Sequence, residues 1–405
     1  MKEIKEYWRS FPILLYMTVC VLPILSRNLN TTYMLIIVAL LFVSSIRRTI
    51  TIDTNQFVML LIWILYLIIE YLRRRSDSAI GNLYENILFI LPMLYCAINR
   101  IDRRSKWIVI ISYFALQTYV AVVNVNLLVN NSYLSKYMTA GVEYVVRSHR
   151  RTNLGSIANV FSSVIVSLLS IQLLQRTEKR SYRFLLVLLI IINTAFIVLA
   201  RSTLCLVVFL LGVLLILWAK SKSHRRIALA FAAVLVLLAA FLFIGTIRDA
   251  IYDSGMAYEY KNRILELIEW ITGGSRINSL EHISGRASDY LSSIVSFLRH
   301  PIFGVGMVYS VDVSIIGMHS EVLDFLARYG VMGVMIFAPI VKGFYEKTID
   351  VKSDIAKSIL CVVIVYSMFN PCINRTSGIA VFWIIPFAIS LITKEEREND
   401  FNYLE

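Results

Sequence analysis

Apolar residues in this chain fall in long unbroken stretches, and the charged ones gather in short groups between them. A helix rising 1.5 Å per residue needs about 20 residues to cross the hydrocarbon core of a bilayer. On that rule the pattern predicts twelve helical spans, at 11–26, 29–46, 56–72, 83–98, 106–129, 154–174, 183–199, 202–219, 227–247, 322–341, 354–369 and 376–393. The first stretch follows Lys2, Lys5 and Arg9 and has the outline of a signal peptide. It ends in Ser26-Arg27-Asn28 without a small-x-small cleavage site and runs at once into another span, so it reads as a retained anchor.

Two connections are too long to be turns. Segment 130–153 has 24 residues and segment 248–321 has 74, and loops beyond about 15 residues usually carry function or disorder. The longer one is patterned. Ile264, Leu267, Ile268 and Ile271 recur at i, i+3, i+4 and i+7, as do Leu291, Ile294, Val295 and Leu298. Both sets predict short amphipathic helices lying on the membrane surface or packed over the bundle, with Thr272-Gly273-Gly274-Ser275 as a turn between them. No internal repeat is visible. The expected architecture is one all-α polytopic membrane domain over 1–405, with 248–321 inserted as a large outer loop between spans 9 and 10.

Composition agrees and removes other classes. Of 405 residues, 58% are hydrophobic and 17% charged, outside the usual shares of a soluble domain. Glycine (16) and proline (7) are too few for a fibrous or low-complexity chain. Cys20, Cys96, Cys205, Cys361 and Cys372 have no metal-ligand spacing, and with five scattered histidines they predict neither a zinc site nor a disulfide framework.

The net charge of +13 matters through its placement. One set of alternate loops carries 23 Lys and Arg; the other carries 10 once the long segment, which does not vote, is left out. This puts both termini in the cytoplasm and 248–321 on the outer face. From Arg73 to Arg201 the short outer loops carry seven arginines, Arg73, Arg74, Arg75, Arg147, Arg150, Arg151 and Arg201, against one lysine, Lys136. Snorkelling to lipid phosphates is one account of them. The other is recognition of a phosphorylated lipid, since guanidinium matches phosphate oxygens in a fork that lysine lacks. Arg201 is held at the membrane edge by a turn of only Ala200-Arg201 between two apolar spans, and an edge charge is a functional candidate by default.

The densest signal lies in 284–334: Ser284-Gly285-Arg286-Ala287, then His300-Pro301-Ile302-Phe303-Gly304-Val305-Gly306, then Met318-His319-Ser320-Glu321-Val322-Leu323-Asp324, then Tyr329-Gly330-Val331-Met332-Gly333. His319, at the start of a helix on the outer rim, could take a proton from an incoming hydroxyl; packing or capping at a helix start is the plainer role. Glu321 and Asp324 on the same first turn suit the helix dipole, and either could orient His319 or act as a base. His300 before Pro301 reads as turn structure.

This order of elements resembles the O-antigen ligase and polymerase superfamily of polytopic glycosyltransferases. The match consists of Gly-Arg before an amphipathic helix, His-Pro-x-x-Gly-x-Gly, a variable loop, His-Ser-x-x-x-Asp and Gly-x-x-Gly. Arg151-Thr152-Asn153-Leu154-Gly155 with Asn159, and Ala200-Arg201-Ser202, are earlier matches. Ser320 departs from the usual Asn after the family histidine, and Thr203 from the usual small residue.

The resemblance implies a GT-C-like fold in the bacterial inner membrane and an inverting, metal-independent and cofactor-free transfer on its outer face. The donor would be an undecaprenyl-diphosphate-linked oligosaccharide and the acceptor a sugar hydroxyl, for O-antigen or capsule. In that reading His319 is the base with Arg286 and Glu321 beside it, while Arg201, Arg150, Arg151, Arg73 and Arg74 face the diphosphate. Partners would be the lipid-linked substrate, membrane lipids and a chain-length regulator, with no nucleic acid. A polymerase is the favoured activity; a ligase moving finished polymer to another acceptor is the alternative. A flippase or transporter comes next, but it should show charged or broken helices near the midplane, and the span interiors look nearly charge-free.

Overall fold

The computed structural model describes residues 2–28, 54–74, 77–98, 103–132, 134–135, 138, 154–221, 244–254, 261, 264–266, 268, 281–306, 316–317, 319–348, 354–372 and 376–394. The span expected at 29–46, most of that at 227–247, Arg75, Arg147, Arg150, Arg151 and Leu267 and Ile271 of the first amphipathic set lie outside these residues.

Every described element of regular structure is a helix: α1 Lys2–Val21, α2 Pro23–Asn28, α3 Thr54–Arg74, α4 Asp77–Ile98, α5 Arg103–Asn130, α6 Ile157–Leu174, α7 Arg180–Leu199, α8 Thr203–Lys220, α9 Ile244–Asp253, α10 Glu281–Arg299, α11 Glu321–Thr348, α12 Asp354–Phe369 and α13 Thr376–Lys394. Five of them, α3, α5, α6, α7 and α11, are long and apolar enough to cross a membrane. Helices α1, α4, α8, α12 and α13 carry shorter apolar stretches that coincide with five more of the expected spans. The chain is an all-helical multi-pass membrane protein.

Helix α6 lies at the centre because its buried surface is made of small and hydroxyl side chains. Ser162, Ser163, Ser167 and Ser170 are fully buried with Val160, Phe161, Val164, Ile165 and Leu168. Without a hydrophobic drive between helices in lipid, close approach and interhelical hydrogen bonds hold the bundle together. Gln117 Nε2 of α5 donates to Asn159 O and Ser163 Oγ, each at 2.9 Å. Phe161 stacks on Tyr366 of α12, centroids 3.6 Å apart and planes within 6°. Helix α1 joins the same bundle: Tyr16 Oη donates to Leu88 O at 2.7 Å, and Val21 O accepts from Asn159 Nδ2 at 3.1 Å.

Helix α11 is broken. Gly330 has φ 61° and ψ −165°, a backbone state open essentially to glycine alone. A break at membrane depth is tolerated only where protein takes the freed peptide groups. Here the His-Pro-x-x-Gly-x-Gly turn supplies that protein. Val305 N–H and Gly306 N–H donate to Ala327 O and Arg328 O at 2.8 and 2.9 Å, and Val331 N–H and Met332 N–H donate to Pro301 O and Ile302 O at 2.8 and 3.0 Å. Tyr66 Oη of α3 donates to Tyr329 O at 3.1 Å, and Asn86 Nδ2 of α4 donates to Tyr329 Oη at 2.9 Å. Trp63, Tyr66, Phe325, Tyr329 and Phe337 form an aromatic cluster around the break. The His-Pro motif is therefore a plug for a discontinuous helix. The expectation of nearly charge-free span interiors is corrected: Asp324 and Arg328 of α11 and Glu70 of α3 are buried.

The second amphipathic set forms, as part of α10, and its apolar side is turned away from the bundle. Leu291 and Leu298 are 59% and 67% exposed, whereas Ser293 and Ser296 are buried against α11. A hydroxyl row packs inward, and the apolar row is left exposed.

Candidate active site

The site is built where α10 meets the start of α11. Ser320 caps α11: its Oγ accepts from Leu323 N–H at 3.2 Å, and Asp324 Oδ2 accepts from Ser320 N–H at 3.3 Å. This reciprocal arrangement follows capping-box logic, and the capping side chain is that of Ser320 rather than that of His319.

His319 is instead paired with Asp289 of α10, Nε2 to Oδ2 at 3.2 Å, with the imidazole side chain 42% exposed and the carboxylate 17%. A neutral imidazole that donates from Nε2 carries its basic lone pair on Nδ1. A carboxylate orienting a half-exposed histidine is the geometry of a general base.

Asp289 and Ser293 lie one turn apart on the inward row of α10. Ser293 Oγ donates to Asp324 Oδ1 at 2.6 Å and accepts from Gly317 N–H at 3.0 Å, which ties the chain just before His319 to both helices. Glu321 is buried, and its Oε2 accepts from Cys372 N–H at 2.8 Å, so this carboxylate braces the α12–α13 connection. Burial, with the Glu321 carboxylate adding to it, pushes the Cys372 thiol well above its ordinary range. That thiol stays protonated and is no nucleophile.

Arg201 sits in the α7–α8 turn with φ 52°, the one non-glycine with positive φ among the described residues. Its N–H donates to Val198 O at 3.1 Å, and Ser202 Oγ caps α8 by accepting from Cys205 N–H at 3.4 Å. The left-handed state costs an arginine roughly 1–2 kcal/mol that glycine would avoid. The turn lies at the same end of the bundle as His319, because α7 meets the start of α6 beside Gly155 and α6 stacks on the end of α12 through Phe161 and Tyr366. Tyr290 Oη of α10 reaches that same end of α12, donating to Phe369 O at 3.5 Å.

Arg286 lies one turn before Asp289 on α10, and Arg73 and Arg74 end α3. Arg150 and Arg151 fall outside the described residues.

Two members of this neighbourhood escaped the sequence reading. Asp289 is separated from His319 by 30 positions, and its only signal is its i, i+4 spacing to Ser293 beside the Gly-Arg motif. Arg328 had a stronger signal, as a cation inside an apolar span. It is 3% exposed, and its Nε and Nη2 have no hydrogen-bond partner among the described residues.

Residues 184–338, from α7 to the middle of α11, match the family model described as O-antigen ligase. This segment is similar to that family, and the match supports the resemblance to the O-antigen ligase and polymerase superfamily. It contains Arg201, Arg286, Asp289, His319, Glu321 and Arg328. A comparison with curated proteins finds no match.

Proposed function

We propose that the protein is a polysaccharide polymerase, making O-antigen or capsule by transferring a glycan from undecaprenyl diphosphate onto a sugar hydroxyl of another lipid-linked repeat unit. The reaction is inverting, needs no metal and runs on the outer face of the inner membrane. The observation that carries the reading is the His319–Asp289 pair at 3.2 Å, inside the family segment.

The acceptor hydroxyl is a weak nucleophile, and His319 takes its proton as the oxygen attacks the anomeric carbon. The bond from that carbon to the phosphate oxygen breaks, and lipid diphosphate leaves with the electron pair. It is a good leaving group and needs charge neutralisation more than a general acid. Arg201 and Arg286 supply that neutralisation, with Arg150, Arg151, Arg73 and Arg74 guiding the anion to the site. Asp289 holds the imidazole and stabilises the imidazolium that forms. Glu321 supports the site through the α12–α13 connection.

The matched family is described as O-antigen ligase, and transfer of finished polymer to a different acceptor is the alternative reading. Purified protein given only lipid-linked repeat units separates the two. A ladder of longer lipid-linked chains, formed in the presence of EDTA, is the expected product. No ladder, with transfer appearing only when a distinct acceptor is added, would make it a ligase.

A further inference from the structure

We infer that Arg328 is the primary anchor of a buried phosphate-binding site in α11, taking the diphosphate of the lipid-linked donor below the His319–Asp289 pair. The inference rests on the proposed use of such a donor. Burying a charge without a partner is costly enough that buried cations are paired or bound to a ligand. Arg328 lies within the apolar span and is almost wholly enclosed, yet its Nε and Nη2 are unpartnered among the described residues. Those two nitrogens present parallel N–H groups along one edge of the guanidinium, the fork that grips two oxygens of one oxyanion.

Neither nearby acid makes a hydrogen bond to Nε or Nη2 of Arg328. Asp324, one turn earlier on the same face, accepts from Ser293 Oγ and Ser320 N–H. Glu321, two turns earlier, accepts from Cys372 N–H. Meanwhile the backbone of Arg328 is fixed, since its carbonyl accepts from Gly306 N–H at 2.9 Å beside the break at Gly330. A buried guanidinium with no partner among the described residues, carried on a fixed backbone, is prepared for an anion that the protein does not itself provide. Both nitrogens are shut from solvent.

The test uses the purified full-length protein in detergent, with thermal melting and direct binding as readouts. The probes are farnesyl diphosphate, farnesol and inorganic pyrophosphate. Farnesyl diphosphate should raise the melting midpoint of the wild type, and farnesol should not. Arg328→Met should melt at or above the unliganded wild type, because an uncompensated charge is gone, and should lose the ligand-induced rise. Arg328→Lys, which keeps the charge and loses the fork, should bind at least about tenfold more weakly at an unchanged melting point. If pyrophosphate alone gives the full Arg328-dependent rise and farnesyl diphosphate gives no more, the anion site stands and the lipid-donor reading fails. The inference is overturned if neither diphosphate moves the wild type. It is also overturned if the variants bind as tightly as the wild type, with Arg328→Met less stable, which would make Arg328 a structural cation.

Discussion

His319 is released from capping by Ser320 and oriented by Asp289, and each half of that arrangement has its own consequence. His319→Ala should lose about two to four orders of magnitude in turnover, the usual worth of a positioned base, while donor binding survives. Activity of the wild type should fall in acid as the imidazole takes up a proton, and that limb should vanish in the variant. Asp289→Asn keeps a polar partner and loses the charge that answers the imidazolium, so kcat should fall with little change in KM. A folded His319→Ala protein working at near wild-type rate would move the base elsewhere. Arg201 gives the opposite trade. Arg201→Gly should relax the left-handed turn, leaving the protein more stable by about 1 kcal/mol in detergent melts, and abolish polymer formation. Arg201→Lys should retain part of the activity. Full activity in Arg201→Gly would reduce the residue to a lipid anchor.

At the level of elements, the discontinuity of α11 is held by the His-Pro turn that precedes it in the chain. Gly304 and Gly330 are locked against each other: a Cβ on Gly330 would strike Ile302 O, and one on Gly304 would strike Arg328 O. Gly330→Ala should therefore cost about 2–4 kcal/mol, from the positive φ and from the clash, and lower the melting temperature accordingly. Gly343→Ala is the control in the same helix. Its Cβ would meet open space, so it should be neutral or gain up to about 1 kcal/mol. Equal behaviour of the two variants would mean that the plug does not hold the break. Helix α10 has a related logic. Its hydroxyl and carboxylate row seats it on α11 and its leucines face outward, so polar contacts fix its register.

For the whole molecule the charge asymmetry makes the sharpest prediction. With 23 cationic residues in one set of loops against 10 in the other, residues 248–321 should face outward. A cysteine placed at Ser279 should label with an impermeant thiol reagent in intact cells or spheroplasts. Labelling only after permeabilisation would reverse the orientation and remove the site from the outer face.

The sequence by itself determined the helical class, the five long apolar helices and five shorter apolar ones that coincide with expected spans, the amphipathic pattern of α10 and the motifs at Arg201, Arg286, His300–Gly306 and His319. These are local quantities, set by runs of apolar residues, by helical spacing and by charge, and they need no knowledge of which helices meet. Only the tertiary structure decided that α10 turns its leucines outward, because a period gives a face but not its direction. It alone matched Asp289 to His319, sent Glu321 to Cys372 and left the Arg328 fork unanswered among the described residues, since those pairings depend on how separate helices meet. The break at Gly330 was written in the sequence as Tyr-Gly-Val-Met-Gly, yet glycine in a span is ordinary. It became a discontinuity because the His-Pro turn brought the peptide groups that satisfy the broken ends.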